Sequence, residues 1–251
     1  MRAMVLAAGL GTRLRPLTND RPKALVEFEG RSLLEIALAR LRDAGVAEVI
    51  VNVHHFADMM IDYLRAHDNF GLRVEVSREP ELLDTGGGLK KAAWFFQQGP
   101  SRTDEPLLLH NVDIISTIDL QRIVQLHRER RPLATLAVQR RDSSRYLLFD
   151  GQQQLCGRRA DGADELVRAC PQPEALGFCG IHVLSSRIFA VMQEEGVFSI
   201  IDSYLRLAAE GEKILAFRAD EYSWWDLGKP EKVQEVPAEV VSKSAVRSAR
   251  P

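Results

Sequence analysis

Cysteine is scarce in this chain. Cys156, Cys170 and Cys179 are an odd number and have no C-x-x-C spacing. That argues against a disulfide framework and against a zinc site, and leaves free thiols in a reducing compartment as the expectation. Long apolar runs are also missing: none reaches the roughly 18 residues of a membrane span. The first residues lead straight into a strand pattern, without the charged and apolar regions of a signal peptide, so a cytoplasmic protein is expected. Charge of one sign is missing too. A formal net charge of -2 over 251 residues gives no bulk attraction to nucleic acid or to an anionic membrane. Lysine occupies only positions 23, 90, 91, 213, 229, 232 and 243, which makes Lys23 conspicuous inside the motif described next. What remains is 45% hydrophobic and 27% charged, ordinary for a globular chain with a sizeable core.

The stretch from Val5 to Leu25 reads V-L-A-A-G-L-G-T-R-L-R-P-L-T-N-D-R-P-K-A-L. Val5 and Leu6 end a short apolar strand, and Ala7, Ala8, Gly9 and Gly11 follow as small residues. Such a turn exposes backbone N–H groups to which an anion can come close. Arg13, Arg15 and Lys23 add positive charge at the same end. A Walker loop requires Gly-Lys-Ser/Thr where this chain has Leu14 and Arg15, and a dinucleotide fingerprint requires a third small residue where Leu14 stands. Neither pattern fits.

The pattern that does fit is L-A-A-G-x-G-T-R-L-x-P-L-T followed by P-K-x-L, at Leu6 to Thr18 and Pro22 to Leu25. It resembles the signature of the sugar-1-phosphate nucleotidylyltransferases, a family of NTP-transferases. The resemblance implies that Leu6, Ala7, Ala8, Gly9, Gly11 and Thr12 bind nucleotide. It further implies that Arg13 neutralises the leaving pyrophosphate and that Lys23 holds the α-phosphate beside the attacking phosphate.

Further along, Ser32 caps a helix with apolar Leu34, Leu38 and Leu41, ending near Gly45. Glu48 to Val53 is nearly all apolar, as in a strand buried on both faces. Met59 to Leu64 has helical character and Leu72 to Val76 alternates. This strand–helix alternation argues a three-layer α/β fold, with ligands beyond the carboxyl ends of the strands. The resemblance sharpens it to a Rossmann-like fold with a central, mainly parallel mixed sheet, of the nucleotide-diphospho-sugar transferase type. His54 and His55 point to opposite faces and are read as ordinary loop histidines.

Asp84-Thr85-Gly86-Gly87-Gly88 precedes an expected helix at 90–96. By resemblance, Thr85, Gly86 and Gly87 line the base pocket, and the form T-G-G-G is most similar to the N-acetylmuramate-1-phosphate uridylyltransferases and related short members. Leu107 to Leu109 is a strand followed by His110-Asn111-Val112-Asp113, which resembles the family's N-G-D. Asp113 is then a Mg²⁺ ligand and Asn111 faces the sugar phosphate or ribose, but Val112 replaces a glycine. A β-branched residue adopts positive φ only with difficulty, which puts the local geometry in question.

A helix is expected from Asp119 to Arg131 and a strand over Leu133 to Val138. Arg140, Arg141 and Arg145 then read as a solvated loop, and an Asp150-Gly151 turn joins a hairpin. Residues 157–173 read as a variable loop flanking the sugar site. Leu176 to Leu184 resembles the family's sugar-contacting strand, with Gly180 at the point of approach. A helix over Phe198 to Ala209 and a strand over Ile214 to Phe217 follow. Trp224-Trp225-Asp226-Leu227-Gly228 resembles W-x-D-x-G, making Asp226 the second metal ligand. Lys229 stands where a small hydroxyl residue is common, and a last helix begins at 230–234.

The expected organisation is a single nucleotidyltransferase domain over 1–235, with a sugar-binding portion at about 140–220 and a polar tail at 236–251. The implied reaction joins an NTP and a sugar 1-phosphate into NDP-sugar and pyrophosphate with Mg²⁺. UTP leads, with dTTP and GTP behind it, and the sugar is left open among N-acetylmuramate, glucose, mannose and heptose. Two alternatives stand beside it: a CTP-dependent phosphocholine-type transferase, and a non-catalytic nucleotide-sugar sensor on the same fold. The sequence is silent on oligomeric state.

Overall fold

The structure is a computed structural model describing residues 1–98, 105–228 and 236–237. Lys229, the helix expected at 230–234 and nearly all of the 236–251 tail lie outside the described residues.

The first strand, β1 (Arg2–Leu6), runs between two parallel neighbours, and its alternating side chains enter two separate cores. Ala3 and Val5 join one cluster, Met4 and Leu6 the other, so the sheet is covered on both faces. Two single-turn 3-10 helices follow (Thr12–Leu14 and Lys23–Leu25), then a short ribbon of β2 (Glu27–Phe28) and β3 (Arg31–Ser32). Helix α1 (Leu33–Asp43) starts where expected, its Glu35 N–H donating to Ser32 Oγ at 3.0 Å. Strand β4 (Glu48–Val53), helix α2 (Ala57–Ala66) and strand β5 (Arg73–Arg78) complete the parallel half with helices α3 (Asp84–Lys91) and α4 (Ala93–Gln97).

After β6 (Leu107–Asn111) come β7 (Ile114–Ser116), α5 (Leu120–Arg130), β8 (Ala134–Gln139) and the hairpin β9 (Arg145–Phe149) and β10 (Leu155–Ala160). The chain continues through β11 (Ala163–Leu166), β12 (Glu174–Leu184), α6 (Ile188–Val191), α7 (Ile200–Ala209), β13 (Ile214–Arg218) and β14 (Trp224–Asp226). The ten-stranded sheet has order β11-β10-β9-β12-β6-β1-β4-β5, with β8 pairing β12 and β13. It is the expected mixed sheet. β6, β1, β4 and β5 are parallel, and β12 runs antiparallel to β6.

Two expectations are corrected. The 157–173 segment is not simply a loop: β10 extends to Ala160 and β11 pairs with it, Gly157 opposite Leu166. The three glycines do not precede a helix but lie inside α3. A Cβ at Gly86 would meet the Phe198 ring at 2.3 Å, and one at Gly87 would meet the Gly196 carbonyl oxygen at 2.3 Å. The helix-breaking residues are therefore what lets α3 lie against the 196–200 segment, and packing overrides propensity.

All three cysteines are buried and free, and burial pushes the Cys156 and Cys179 thiols up to about 12, so both stay protonated at neutral pH. Among the described residues no helix is long and apolar enough to cross a membrane.

Three buried histidines, His110, His127 and His182, set an acid limit on the fold. Burial lowers His127 to about 4, with Nδ1 bonded to Thr135 Oγ1, and His182 to about 3, with Nδ1 bonded to Tyr204 Oη. Both stay neutral when folded but take a proton near pH 6.5 when unfolded. Their contribution is thus complete above pH 6.5 and is lost as pH falls toward 4. By linkage the loss at pH 5 is about 2 kcal/mol for each. Urea denaturation at pH 7 and pH 5 should show this slope, and a His127→Gln/His182→Gln variant should lose these two contributions while keeping that of His110. An unchanged slope in that variant would refute the assignment.

Candidate active site

β1 and β6 are parallel neighbours in register, Leu6 opposite Asn111, so their carboxyl ends and the loops leaving them lie side by side. Topology alone therefore brings Ala7–Arg13 next to Asn111–Asp113. Ala7 N–H is occupied, donating to Asn52 Oδ1 at 2.7 Å. The amides of Ala8, Gly9, Leu10 and Gly11 have no protein acceptor among the described residues. A Cβ at Gly9 would meet nothing within 4 Å, so this loop faces open space. Gly11 has φ +65°, and its carbonyl accepts the Thr18 hydroxyl at 2.9 Å. A Cβ there would press on Lys23 and Thr18 at 3.0 Å, so Gly11 lets the loop fold over the base of Lys23. Unpaired amides beside a lysine have the chemistry of an anion cradle.

Lys23 Nζ meets Asp113 Oδ2 at 2.5 Å, with both side chains largely buried. Asp226 reaches the same place from β14, which pairs with β7 so that Asp226 lies opposite Ile114. Leu227 N–H donates to Asp113 O at 2.9 Å, and Gly228 N–H donates to Asp226 Oδ1 at 2.8 Å. Gly228 measures the convergence: a Cβ on it would stand 2.7 Å from Asp226 Oδ1, 2.9 Å from Arg13 Nη2 and 3.1 Å from Asp113 Oδ2. Two carboxylates, a guanidinium and an ammonium thus surround one small cradle.

The electrostatics of the pair are asymmetric. Burial works against charge on Asp113, but the Lys23 ammonium outweighs it and holds the carboxyl below its ordinary value. Burial, followed by the neighbouring Asp113 carboxylate, raises Asp226. Two carboxylates this close raise each other's cost of ionisation, and Lys23 pairs directly with Asp113 alone, an arrangement that a cation shared by both would relieve. Among the described residues no three or more His, Cys, Asp and Glu side chains form a cage, so the donor set is a carboxylate pair. That suits a hard cation taking its remaining ligands from water and phosphate, as Mg²⁺ does.

The cleft beside this pair has a volume of about 410 Å³. Leu6, Ala8, Gly9, Lys23, Asn111 and Asp113 line it on one side, and Leu82, Asp84, Thr85 and Val197 on the other. Thr85 is at the cleft, but its hydroxyl already accepts Ile200 N–H at 3.0 Å. Gly86 and Gly87 donate their N–H groups to Phe198 O. The glycine pair is therefore committed to packing and keeps no free backbone donor for a base. Asn111 Oδ1 is buried without a partner. A Cβ at Gly180, which has φ +71°, would sit 2.9 Å from Asn111 Nδ2. Val112 resolves the question raised by the missing glycine. It is not in the positive-φ region, it is buried in the core, and its N–H donates to Leu6 O at 3.1 Å.

Sequence reasoning missed Asn52 and Glu79. Asn52 donates to Glu79 Oε1 at 2.7 Å, Glu79 Oε2 accepts Leu83 N–H, and a Cβ at Gly88 would strike both side chains. This buried brace joins the phosphate-type loop to α3, and the signal was a lone amide in the apolar run E-V-I-V-N-V. His110 was also passed over. Burial lowers it to about 3, its Nδ1–H donates to Asn111 O at 2.8 Å, and Nε2 is buried without a partner. Arg141 is not a solvated residue: its Cζ lies 3.9 Å over the Trp224 ring.

Comparison with known proteins bears on the family and the fold. The family model described as nucleotidyl transferase matches residues 2–155. The chain is 37% identical over 239 residues to an N-acetylmuramate alpha-1-phosphate uridylyltransferase of Caulobacter vibrioides, covering 91% of this chain and 92% of that one. It is 28% identical to a mannose-1-phosphate guanyltransferase of Yarrowia lipolytica, covering 92% of this chain but only 61% of the relative. Among solved structures, a UDP-glucose pyrophosphorylase from Acinetobacter baumanii superimposes with a TM-score of 0.76 at 17% identity, over 99% of this chain and 94% of that one, which is a likeness of fold.

Proposed function

This chain belongs to the nucleotidyl transferase family and is a nucleotidyltransferase; we propose that it joins UTP and a sugar 1-phosphate into UDP-sugar and pyrophosphate, with Mg²⁺ as its cofactor. The observation that carries this reading is the convergence of Asp113, Asp226, Lys23 and Arg13 on the Gly228 cradle, beside a loop of free amides. In the proposed reaction an oxygen of the sugar phosphate attacks the α-phosphorus in line, that P–O bond forms, and the bond to the β-phosphate oxygen breaks. A phosphate is already anionic at neutral pH, so no general base is required. Catalysis rests on positioning and charge neutralisation.

Asp113 and Asp226 would hold Mg²⁺, which when bound neutralises phosphate oxygens and withdraws charge from the reacting phosphorus. Lys23, paired with Asp113, also lines the cleft. Its point charge would hold the α-phosphate and the attacking phosphate together. Arg13 is exposed beside the pair, and its guanidinium suits the several oxygens of departing pyrophosphate. The amides of Ala8, Gly9 and Gly11, with Thr12, would cradle the nucleotide phosphates, flanked by Leu6 and Ala7. Thr85 at the cleft wall would border the base, with Gly86 and Gly87 shaping that wall from behind. Asn111, with its unpartnered Oδ1, and Gly180 would face the sugar and its phosphate. Residues 1–235 would act as one domain.

UTP is favoured by the T-G-G-G form and by the uridylyltransferase name of the 37% identical relative. The test is pyrophosphate release from UTP, GTP, dTTP and CTP, each with a panel of sugar 1-phosphates and Mg²⁺. The expected result is a kcat/KM for UTP at least about tenfold above the others, the scale of about 1.4 kcal/mol of discrimination. A faster reaction with GTP would overturn the base assignment and leave the reaction class standing.

A further inference from the structure

We propose that two copies of this chain pair through the outer edge of β5, antiparallel, with Val74 of each copy at the two-fold axis. The second copy continues the sheet beyond its last strand.

The two ends of the ten-stranded sheet are unlike. β11 is four exposed residues whose Asp164 and Glu165 pair with Arg159 and Arg158 of β10, a short and charged edge that discourages further pairing. β5 is six residues in unbroken register with β4, without proline or bulge, and no strand pairs its outer side among the described residues. Arg73 N–H donates to Ala47 O at 3.1 Å and Glu79 N–H to Val53 O at 2.7 Å, which sets the ladder. Residues 73, 75 and 77 thus turn their backbone groups to β4, and Val74, Val76 and Arg78 turn theirs outward. A groove of about 490 Å³ follows this edge, lined by Ile61, Leu64 and Arg65 of α2 and by Val74, Glu75 and Val76, with nothing from β4. Because consecutive residues of β5 line it, it runs along the outer side of the strand and not over one face of the sheet.

Charge selects the occupant. With Val74 opposite Val74, Leu72 stands opposite Val76, and Arg73 of each copy stands opposite Glu75 of the other. The two Arg–Glu pairs fall at the closely spaced, non-hydrogen-bonded positions of the new ladder, where side chains interact most. Placing the axis at residue 75 would set Glu75 against Glu75. Placing it at Val76 would set Glu75 against Ser77 and leave Arg73 opposite Glu79, which is buried in the brace to Asn52. The edge is therefore its own complement in one register, which specifies a second copy in an isologous contact. Both charges are available for it. Arg73 is exposed and reaches Glu48 only at 3.7 Å, and Glu75 is half-buried at the groove with no ion pair among the described residues. Val74 and Val76 are only partly buried against the core, and a neighbouring strand would cover them.

The test is sedimentation velocity of the whole protein at tens of micromolar, beside Glu75→Arg, Arg73→Glu and the double exchange Arg73→Glu/Glu75→Arg. Wild type is expected at twice the mass of one chain. Each single exchange sets like charges opposite one another at two positions and should raise the dimer Kd about tenfold or more, and the double exchange should restore it. The register has its own readout. Val74→Cys should link two copies in oxidised glutathione, since Cα atoms paired at the axis stand about 5.5 Å apart. The three native cysteines are buried and should not link. None of the exchanged residues lines the active-site cleft, so the outcome is independent of the nucleotidyl-transfer reading. A single-chain mass for wild type overturns the proposal, and that measurement needs no variant to fold. A dimer that survives Glu75→Arg, that the double exchange fails to restore, or that Val74→Cys does not cross-link also overturns it.

Discussion

Asp113→Asn is expected to reduce the rate of pyrophosphate formation by about 10³-fold or more, the scale of removing a principal charge-stabilising group from a transition state. The substitution keeps the shape of the side chain and removes its charge. Lys23 loses its 2.5 Å partner, and the pair that would hold the cation is left with Asp226 alone. Breaking a buried ion pair often costs about 3–5 kcal/mol. Here Asp226 stands beside the stranded ammonium and takes up part of the interaction, so the fold should persist with a lowered Tm. Circular dichroism establishes that the variant is folded. Mn²⁺ binding in the presence of nucleotide, read by paramagnetic resonance, should weaken in Asp113→Asn and in Asp226→Asn alike. Turnover close to wild type in either folded variant would refute the carboxylate-pair assignment.

Gly228→Ala is the second large effect, and it probes the cradle without changing any charge. The added methyl would meet Asp226 Oδ1 at 2.7 Å, Arg13 Nη2 at 2.9 Å and Asp113 Oδ2 at 3.1 Å. Arg13 is exposed and can swing away, but the two carboxylates are held by β14 and by the end of β6. The methyl therefore spreads the pair and occupies space that the cation and its phosphate ligands would share. A misplacement of this order costs about 10²-fold in rate. Gly228 has no positive φ to lose, so the cost to the fold is this local crowding alone, and a modest fall in Tm is expected beside the larger loss of rate. Wild-type kcat with a full methyl at this point would show that the cradle is not where the reacting phosphates sit.

How legible these features were depends on how local they are. The anion loop could be read because its chemistry lies within consecutive residues: Gly9, Gly11, Arg13 and nearby Lys23. The helix cap at Ser32 and the buried strand at 48–53 were legible for the same reason. The glycine run was misread because its partners, Gly196 and Phe198, lie far along the chain, and nothing local announces a helix that must approach another segment so closely. Val112 looked like a defect only while position 112 was assumed to need a positive φ; the structure turns it into the core instead. β7 and β14, three residues each, are too short for periodicity to reveal, yet their pairing is what carries Asp226 to Asp113. Arg141 could not be distinguished from its surface neighbours Arg140 and Arg145 until Trp224 was found beneath it.

The most direct test of the central claim is a single incubation of the protein with UTP, a mixture of sugar 1-phosphates and Mg²⁺, with pyrophosphate and UDP-sugar measured together. The account predicts equal molar amounts of the two products, abolished by a chelator and restored by added Mg²⁺. Nucleotide binding by calorimetry without pyrophosphate, across the whole panel of NTPs and sugar 1-phosphates, would contradict it.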